Sequence, residues 1–402
     1  MADKFGFDEV KTYSLESLCE IFTDGDWIES KDQSEEGIRL IQTGNIGEGY
    51  FKAKEGKEKY ISEQTFETLK CTEVFEGDIL VSRLPEPVGR ACIIPALDYR
   101  VITAVDCTIC RTRKNVLNKK YLMYYMQSES YYNQLGNSVT GTTRKRISRK
   151  NLGQVLIKVP NKVKQEEVIK ILDNVTGIIR HKKKELEELD ILIKARFVEM
   201  FGDPVENPMG WDKKQLQQVV TDDCTISYGI VQTGDEQQDG IPVFRPIDIV
   251  NRVPKLEELK RTTVEISNKY KKTLLKGREL LITVRANIAD TCIVGEEFVG
   301  CNVGRGIVPL RTDESIIVLE FLKCLLDNKH LNDNIRSKAK GITLIQLNME
   351  DLREVELIIP PVNMQNEFVD FVTQVDKLKV AVQESLNEAQ TLFDSLMQEY
   401  FG

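Results

Sequence analysis

Two periods of apolar residues run through this chain, in separate blocks. Over residues 168–200 they step by three and four: Val168, Leu172, Val175, Ile179, Leu186, Leu189, Ile193 and Met200. That step is the seam of a long amphipathic helix packed on a partner helix. A second block repeats it through Phe368, Val372, Val375, Val382, Leu386, Ala389, Phe393, Leu396 and Tyr400. Charged residues break both seams: Lys182 and Arg196 in the first, Lys379 in the second. Elsewhere the apolar runs are short. "DILVS", "ACIIP", "LLITV", "TCIVG" and "RGIVPL" are bounded by Gly and Pro and predict strands. "KKYLMYYMQSESYYNQL" and "VLEFLKCLLDNKHLNDNI" carry helical spacing. "QVLIKVP" and "EVELIIPP" predict a last strand stopped by proline.

The two blocks are copies. Displaced by 200 positions, residues 141–202 fall on 341–402 without a gap, with identities that include Gly141/Gly341, Thr143/Thr343, Leu152/Leu352, Pro160/Pro360, Gln165/Gln365, Phe201/Phe401 and Gly202/Gly402. Upstream, "VGRACII" matches "IADTCIV", placing Cys92 over Cys292. "GDILVSR" matches "RELLITVR" after a small insertion, which puts Arg83 near Arg285. The chain is therefore one duplicated unit, with a period too long for a solenoid. The expected order is a head over 1–160, a long helix over 161–203, a second head over 204–360 and a second helix over 361–402. A helix of some 36 residues is about 54 Å long and is rarely stable alone in water. Two in one chain most simply pack on each other, antiparallel if a two-fold axis relates the halves. The predicted fold is mixed α/β: two similar α+β heads joined by two long antiparallel coiled-coil helices, as a pseudo-two-fold internal repeat.

Composition changes this picture little. The chain has 402 residues and a net charge of −8, with nine cysteines in no tight framework, which predicts reduced thiols in the cytoplasm. No run has the length and apolarity of a membrane span. The histidines are His181 and His330 alone, which disfavours a histidine base or a multi-histidine metal site. There is no Gly-x-x-x-x-Gly-Lys-Ser/Thr phosphate loop, and "GNIGEG" lacks dinucleotide-binding spacing. "CTIC" lies in a strand-like run that points Cys107 and Cys110 to opposite faces, so we expect neither zinc nor redox chemistry there. No catalytic residue and no metal site is expected in this chain. Charge distribution matters more than net charge. From Arg111 to Lys150 lie Arg111, Arg113, Lys114, Lys119, Lys120, Arg144, Lys145, Arg146, Arg149 and Lys150, against the single acid Glu129. Phosphate binding needs such a local basic surface, not a basic protein.

The order head, helix, different head, helix resembles the specificity subunit of type I restriction-modification systems. The stretches that carry the resemblance are "TDGDWI", "LIQTGNIGEGYF", "GDILVSR", "VTGTTRKRISRKNL", "VLIKVPNKVKQEEVIKILD", "ARFVEMFGDPVENPMGW", "GCNVGRGIVPLR" and "IIPPVNMQNEFVDFV", spread over essentially the whole chain. The resemblance implies that each head is a target recognition domain reading one half of a split site in double-stranded DNA. It implies that the helices set head spacing and dock two modification (methyltransferase) subunits, with restriction/translocase subunits attached through them. It also implies that S-adenosylmethionine, ATP and Mg sit on those partners and no cofactor on this chain. The competing reading is a non-catalytic coiled-coil adapter or scaffold, which explains the helices but not the basic loops.

Base edges in the major groove are read by hydrogen-bonding side chains, most often arginine on guanine. In the first head "TGTTRKRISRK" is the favoured reader: Thr140, Thr142, Thr143, Arg144, Lys145 and Arg146. Gln42, Thr43 and Asn45 offer amide and hydroxyl groups, and Arg245 and Asp248 align with them in the second head. Arg83 and Arg285 either face DNA or are buried salt-bridge partners. Arg305 stands between glycines that allow close backbone approach. The second head lacks the basic run and is expected to grip phosphate through "RSKAK", with Lys338 and Lys340. The seam expected between the helices is Leu172, Val175, Ile179, Leu186, Leu189 and Ile193 against Val372, Val375, Val382, Leu386, Ala389 and Phe393.

Overall fold

The computed structural model describes residues 10–141, 145–249, 254–341 and 345–402. Thr142, Thr143 and Arg144 lie outside the described residues. The chain divides into two units, Met1–Lys183 with Glu384–Gly402, and Lys184–Gln383.

In the first unit an antiparallel sheet runs in the order Cys19–Asp24, Cys107–Thr112, Ile79–Ser82, Ala91–Ile93. A second sheet runs Tyr60–Ile61, Ile38–Ile41, Val101–Thr103, Glu73–Val74, and its central pair is parallel. The strands Ile38–Ile41 and Ile79–Ser82 are buried along their whole length, which is why they read as unbroken runs and not as alternation. Cys107 and Cys110 enter different cores on opposite faces of their strand. Burial pushes the Cys107 thiol up to about 12. Among the described residues no group of three His, Cys, Asp or Glu side chains could hold a metal ion.

The second unit repeats this frame with shorter sheets. One runs Thr291–Val294, Glu279–Thr283, Ile307–Leu310, and the other Lys260–Thr262, Ile241–Phe244, Asn302–Val303. In both units a strand near the start of the head pairs with the proline-stopped strand near its end: Lys11–Ser14 with Leu156–Val159, and Lys213–Gln215 with Glu356–Ile358. Each helical stretch expected from spacing is broken into two helices, Lys119–Tyr125 with Glu129–Gly136, and Leu319–Asp327 with Lys329–Ser337. The break is local chemistry. The Ser128 hydroxyl accepts from the Tyr131 N–H and the Asn328 side chain from the His330 N–H, each capping a new helix start.

The long helices are Lys162–Phe201 and Val362–Phe401, 40 residues each and so about 60 Å long. Both contribute to both units. In the first, Val168 and Leu172 from one helix and Met397 and Phe401 from the other share a core with Tyr121, Leu122 and Tyr125. In the second, Phe197 and Phe201 meet Phe368 over Phe321, Leu322 and Leu325. Within the second unit Arg196 pairs with Glu367 at 3.0 Å and Asp190 with Lys379 at 2.6 Å. One number falls as the other rises, so the helices run antiparallel. The residues that break the seam in the sequence thus include cross-helix ion pairs. Such partly exposed pairs contribute only about 0–1 kcal/mol; they select orientation and register more than they stabilise. Along the seam Leu172, Val175, Val375, Val382, Leu386 and Ala389 are buried, while Ile179, Leu186, Leu189, Ile193, Val372 and Phe393 are half-buried.

A repeated glutamine ties each head to its own helix. Gln165 accepts from the Asn118 N–H at 2.8 Å and donates to the carbonyls of Val116 and Pro160. Gln365 does the same with Val318, Ile316 and Pro360. Both are buried, so each satisfies backbone groups that water cannot reach.

Phe201 is fully buried, with ring centroids 5.0 Å from Phe321 and 5.6 Å from Phe368. Phe201→Ala is expected to cost about 3–5 kcal/mol. Thermal unfolding followed by circular dichroism should show a lowered midpoint for this variant relative to the parent; an unchanged midpoint contradicts the packing described.

Candidate nucleic-acid interface

Four segments converge in the first unit: the one after Ile41, the turn after Ser82, the tip after Thr103 and the backbone pair Thr140 and Arg146. Two buried arginines draw them together. Arg90 donates from Nε to the Ile46 carbonyl (2.8 Å), from Nη1 to those of Leu84 (2.8 Å) and Pro87 (3.1 Å), and from Nη2 to that of Thr43 (2.8 Å). Arg83 donates to the carbonyls of Val105 and Ile147 and pairs with Asp24 at 3.1 Å. Burial lowers the Arg83 pKa, and the Asp24 carboxylate opposes that shift. Arg83 is 3% exposed. In this structure it clamps the loops, the buried salt-bridge role that is one of the two expectations for it.

The hairpin closes through mutual backbone bonds, Thr140 N–H to the Arg146 carbonyl (2.9 Å) and the reverse (2.8 Å). Thr140, Lys145 and Arg146 are exposed at its base. Arg146 pairs with Asp106 at 3.1 Å, which binds hairpin to tip. Gln42 and Thr43 are half-buried at the start of the short helical turn Thr43–Asn45. Asn45 is buried, accepts from the Gln42 N–H (3.0 Å) and donates to the Lys52 carbonyl (2.9 Å), so it shapes the loop. The same loop brings cations that the sequence reading missed. The Lys54 ammonium lies over Gly44, where any Cβ would meet it. Lys52 sits 5.3 Å from the ring centroid of the exposed Tyr50. Lysines alternating through "YFKAKEGKEK" were the available signal.

The second unit builds the same platform from other residues. Lys340 and Gln346 close its hairpin with the same pair of backbone bonds, 2.9 and 3.0 Å. Arg245 takes the place of Gln42 and Asp248 that of Asn45: the Arg245 N–H donates to Asp248 at 2.7 Å. The Arg245 guanidinium also forks onto Asp248, at 3.0 and 2.9 Å, so reading a base would require it to leave that carboxylate. Arg285 is not the counterpart of Arg83. The Arg83 N–H donates to the Asp106 carbonyl and the Val284 N–H to that of Gly306; Ile147 and Leu347 then donate back to the Arg83 and Val284 carbonyls. The counterpart of Arg83 is the buried Val284, because the turn is one residue shorter in the second unit. Arg285 is half-buried and donates to the Gln346 side chain, joining turn to hairpin. Arg305 is exposed at the tip, between Gly304 and Gly306. A Cβ at Gly306 would strike Pro246, so glycine is what lets tip and loop meet. Lys338 is half-buried, and Lys340 is exposed with Asp351 3.9 Å away.

These loops offer hydrogen-bond donors, cations and, in Ile247 at the Gly44 position, an exposed apolar side chain. They suit contact with phosphates and base edges. The seam residues are separate from them and structural. No helix among the described residues is long and apolar enough to cross a membrane.

The chain is 22% identical over 330 residues to the type I restriction enzyme EcoBI specificity subunit of Escherichia coli, covering 76% of this chain and 68% of that one. It is 20% identical over 313 residues to the StySPI specificity subunit of Salmonella potsdam, covering 73% and 65%. Its fold is similar to that of a chain solved in work on complex assembly of the type I R-M system (TM-score 0.63, 18% identity, 98% of each chain). It is also similar to the type I restriction-modification S subunit from M. genitalium (TM-score 0.53, 13% identity, 100% and 98%). The model of the type I restriction modification DNA specificity domain matches residues 8–190 and again 208–389, and the chain belongs to that family.

Proposed function

We propose that this chain is the sequence-reading subunit of a type I restriction-modification assembly. Each unit reads one half of a bipartite, asymmetric site in duplex DNA, and the chain supplies no catalytic group. The observation that carries this reading is one four-loop platform built twice from different side chains. Gln42, Thr43 and the lysine-rich loop occupy one; Arg245, Ile247 and Arg305 occupy the other. Equal frames with unequal surfaces predict unequal half-sites.

The helices then serve as ruler and dock. Each leaves large apolar residues exposed, and two of these positions repeat at the 200-residue offset: Ile178 with Leu378 and Leu192 with Leu392. The same apolar surface offered twice suits two copies of one partner. We assign that role to two modification (methyltransferase) subunits, with restriction/translocase subunits held through them. S-adenosylmethionine, ATP and Mg belong on those partners in this reading, in the cytoplasm.

Methylome sequencing of a host carrying the system should give a split motif whose halves differ and lie about one helical turn, roughly 10 bp, apart. A continuous or palindromic motif, or none, sides with a scaffold role. Replacing Lys145 and Arg146 with Ala should weaken DNA binding and flatten its salt dependence, by up to ~0.9 in slope for each phosphate no longer neutralised. A titration across salt concentrations that leaves the slope unchanged places the hairpin away from DNA. Native mass spectrometry tests the dock: Ile178→Glu or Leu378→Glu alone should leave one modification subunit bound, and the double variant none. Two subunits on the double variant refute the docking faces assigned here.

A further inference from the structure

Arg90 lies in the core of the first unit and is only 7% exposed. Its hydrogen-bond partners are all carbonyl oxygens, and they come from two separate segments. Thr43 and Ile46 belong to the loop that presents Gln42 and Thr43. Leu84 and Pro87 belong to the turn that follows Ser82. One planar guanidinium, with donors in fixed directions, thus joins loop and turn into a single body.

The described residues of the second unit do not repeat this device. Ser82 donates to the Arg90 carbonyl as Thr283 donates to that of Asp290, so Asp290 is the counterpart of Arg90. Asp290 is tied to a helix instead. There Arg336 pairs with it at 3.0 Å and donates to the Ile288 carbonyl at 2.9 Å. The residue matching Arg336 in the first unit is Gly136, where an added Cβ meets nothing within 4 Å. The positive charge has changed sides. In the first unit it ties the turn to the reading loop. In the second it ties the turn to the helix Lys329–Ser337 and leaves the loop to its own Arg245–Asp248 pair.

We propose that Arg90 is the positioning residue that determines base specificity at the first half-site, by holding the Gln42–Ile46 loop in register with the turn beside it. The residue touches no base itself. Its effect is confined to one half of the site, because the counterpart position in the second unit, Asp290, is tied to Arg336 instead. This rests on the reading of the chain as a DNA specificity subunit.

The arrangement supplies its own control. Arg90→Asp with Gly136→Arg transplants the second unit's tie into the first: the turn stays held while the loop is released. Arg90→Lys keeps the charge but cannot reach four carbonyls with the geometry of a guanidinium. Each variant is assembled with the modification subunits, and binding is measured on duplexes carrying single base changes in either half of the parent's motif. A good base contact discriminates by about 1–3 kcal/mol, on the order of 5–150-fold. The double variant should still fold and bind the intact motif, with a midpoint lowered where loop carbonyls lose their donor. Its discrimination at first-half positions contacted by the loop should fall by about tenfold, with second-half discrimination unchanged. Arg90→Lys should show the same loss, smaller in size, with the parent's salt slope. Parent-like discrimination in both variants overturns the proposal, as does equal loss in both halves. A parent chain without sequence preference defeats the specificity-subunit reading itself, and the proposal with it.

Discussion

The two terminal phenylalanines of the long helices hold this architecture together. Phe401 lies 5.3 Å from the Tyr121 ring centroid in the first unit, and Phe201 lies 5.0 Å from that of Phe321 in the second. Each head is closed on one side by the start of the helix that follows it and on the other by the end of the other helix. Neither head completes its apolar core without a segment contributed by both helices. Burying one large aromatic ring at each helix end therefore couples two folding problems: the head acquires its core, and the helix acquires its position. That coupling is the physical reason for writing the helix twice.

Charged groups in the molecule divide by burial into two roles. Arg83 and Arg90 are almost wholly enclosed, and burying a guanidinium is costly unless most of its donors find acceptors, as they do here apart from Arg83 Nε. Carbonyl oxygens of surface loops provide the partners, so the cost of burial becomes a constraint on loop shape. Lys145, Arg146 and Arg305 lie in solvent, where a cation remains available to a phosphate or a base edge. Arg146 belongs partly to both groups, since its ion pair with Asp106 ties two loops while about half of its side chain stays exposed. The exposed cations of these loops thus rest on buried arginines that hold the loops in place.

Duplication preserved the frame and released the surface. The strand registers, the Gln165/Gln365 tie and the hairpin closure recur almost atom for atom. Burial explains the conservatism: a glutamine satisfying three buried backbone groups has no substitute of the same shape. The loops have diverged where their side chains meet one another and not the sheet core. Arg83 opposite Val284, Arg90 opposite Asp290 and Gly44 opposite Ile247 all fall where loops meet, which is where change alters what is read without disturbing the core.

The repeat, the two long helices and the strand-like runs were legible in the sequence, because burial period and Pro/Gly punctuation are local properties of a chain. Family resemblance was legible for the same reason, since it rests on the residues that build the frame. The helix break at Ser128 was written in the sequence as a capping serine, but the helical spacing on either side masked it. What tertiary structure alone decided was which polar residues face solvent. Arg83 and Asn45 have the composition of DNA readers and are spent on carbonyls and amides of neighbouring loops. The Lys54 ammonium reaches the reading loop only because that loop folds back over Gly44. Nothing local distinguishes Arg83 from Arg146; the distinction comes from which distant carbonyl oxygens the fold brings within hydrogen-bonding distance, and a one-residue difference in turn length was enough to place Arg285 in a different role from Arg83.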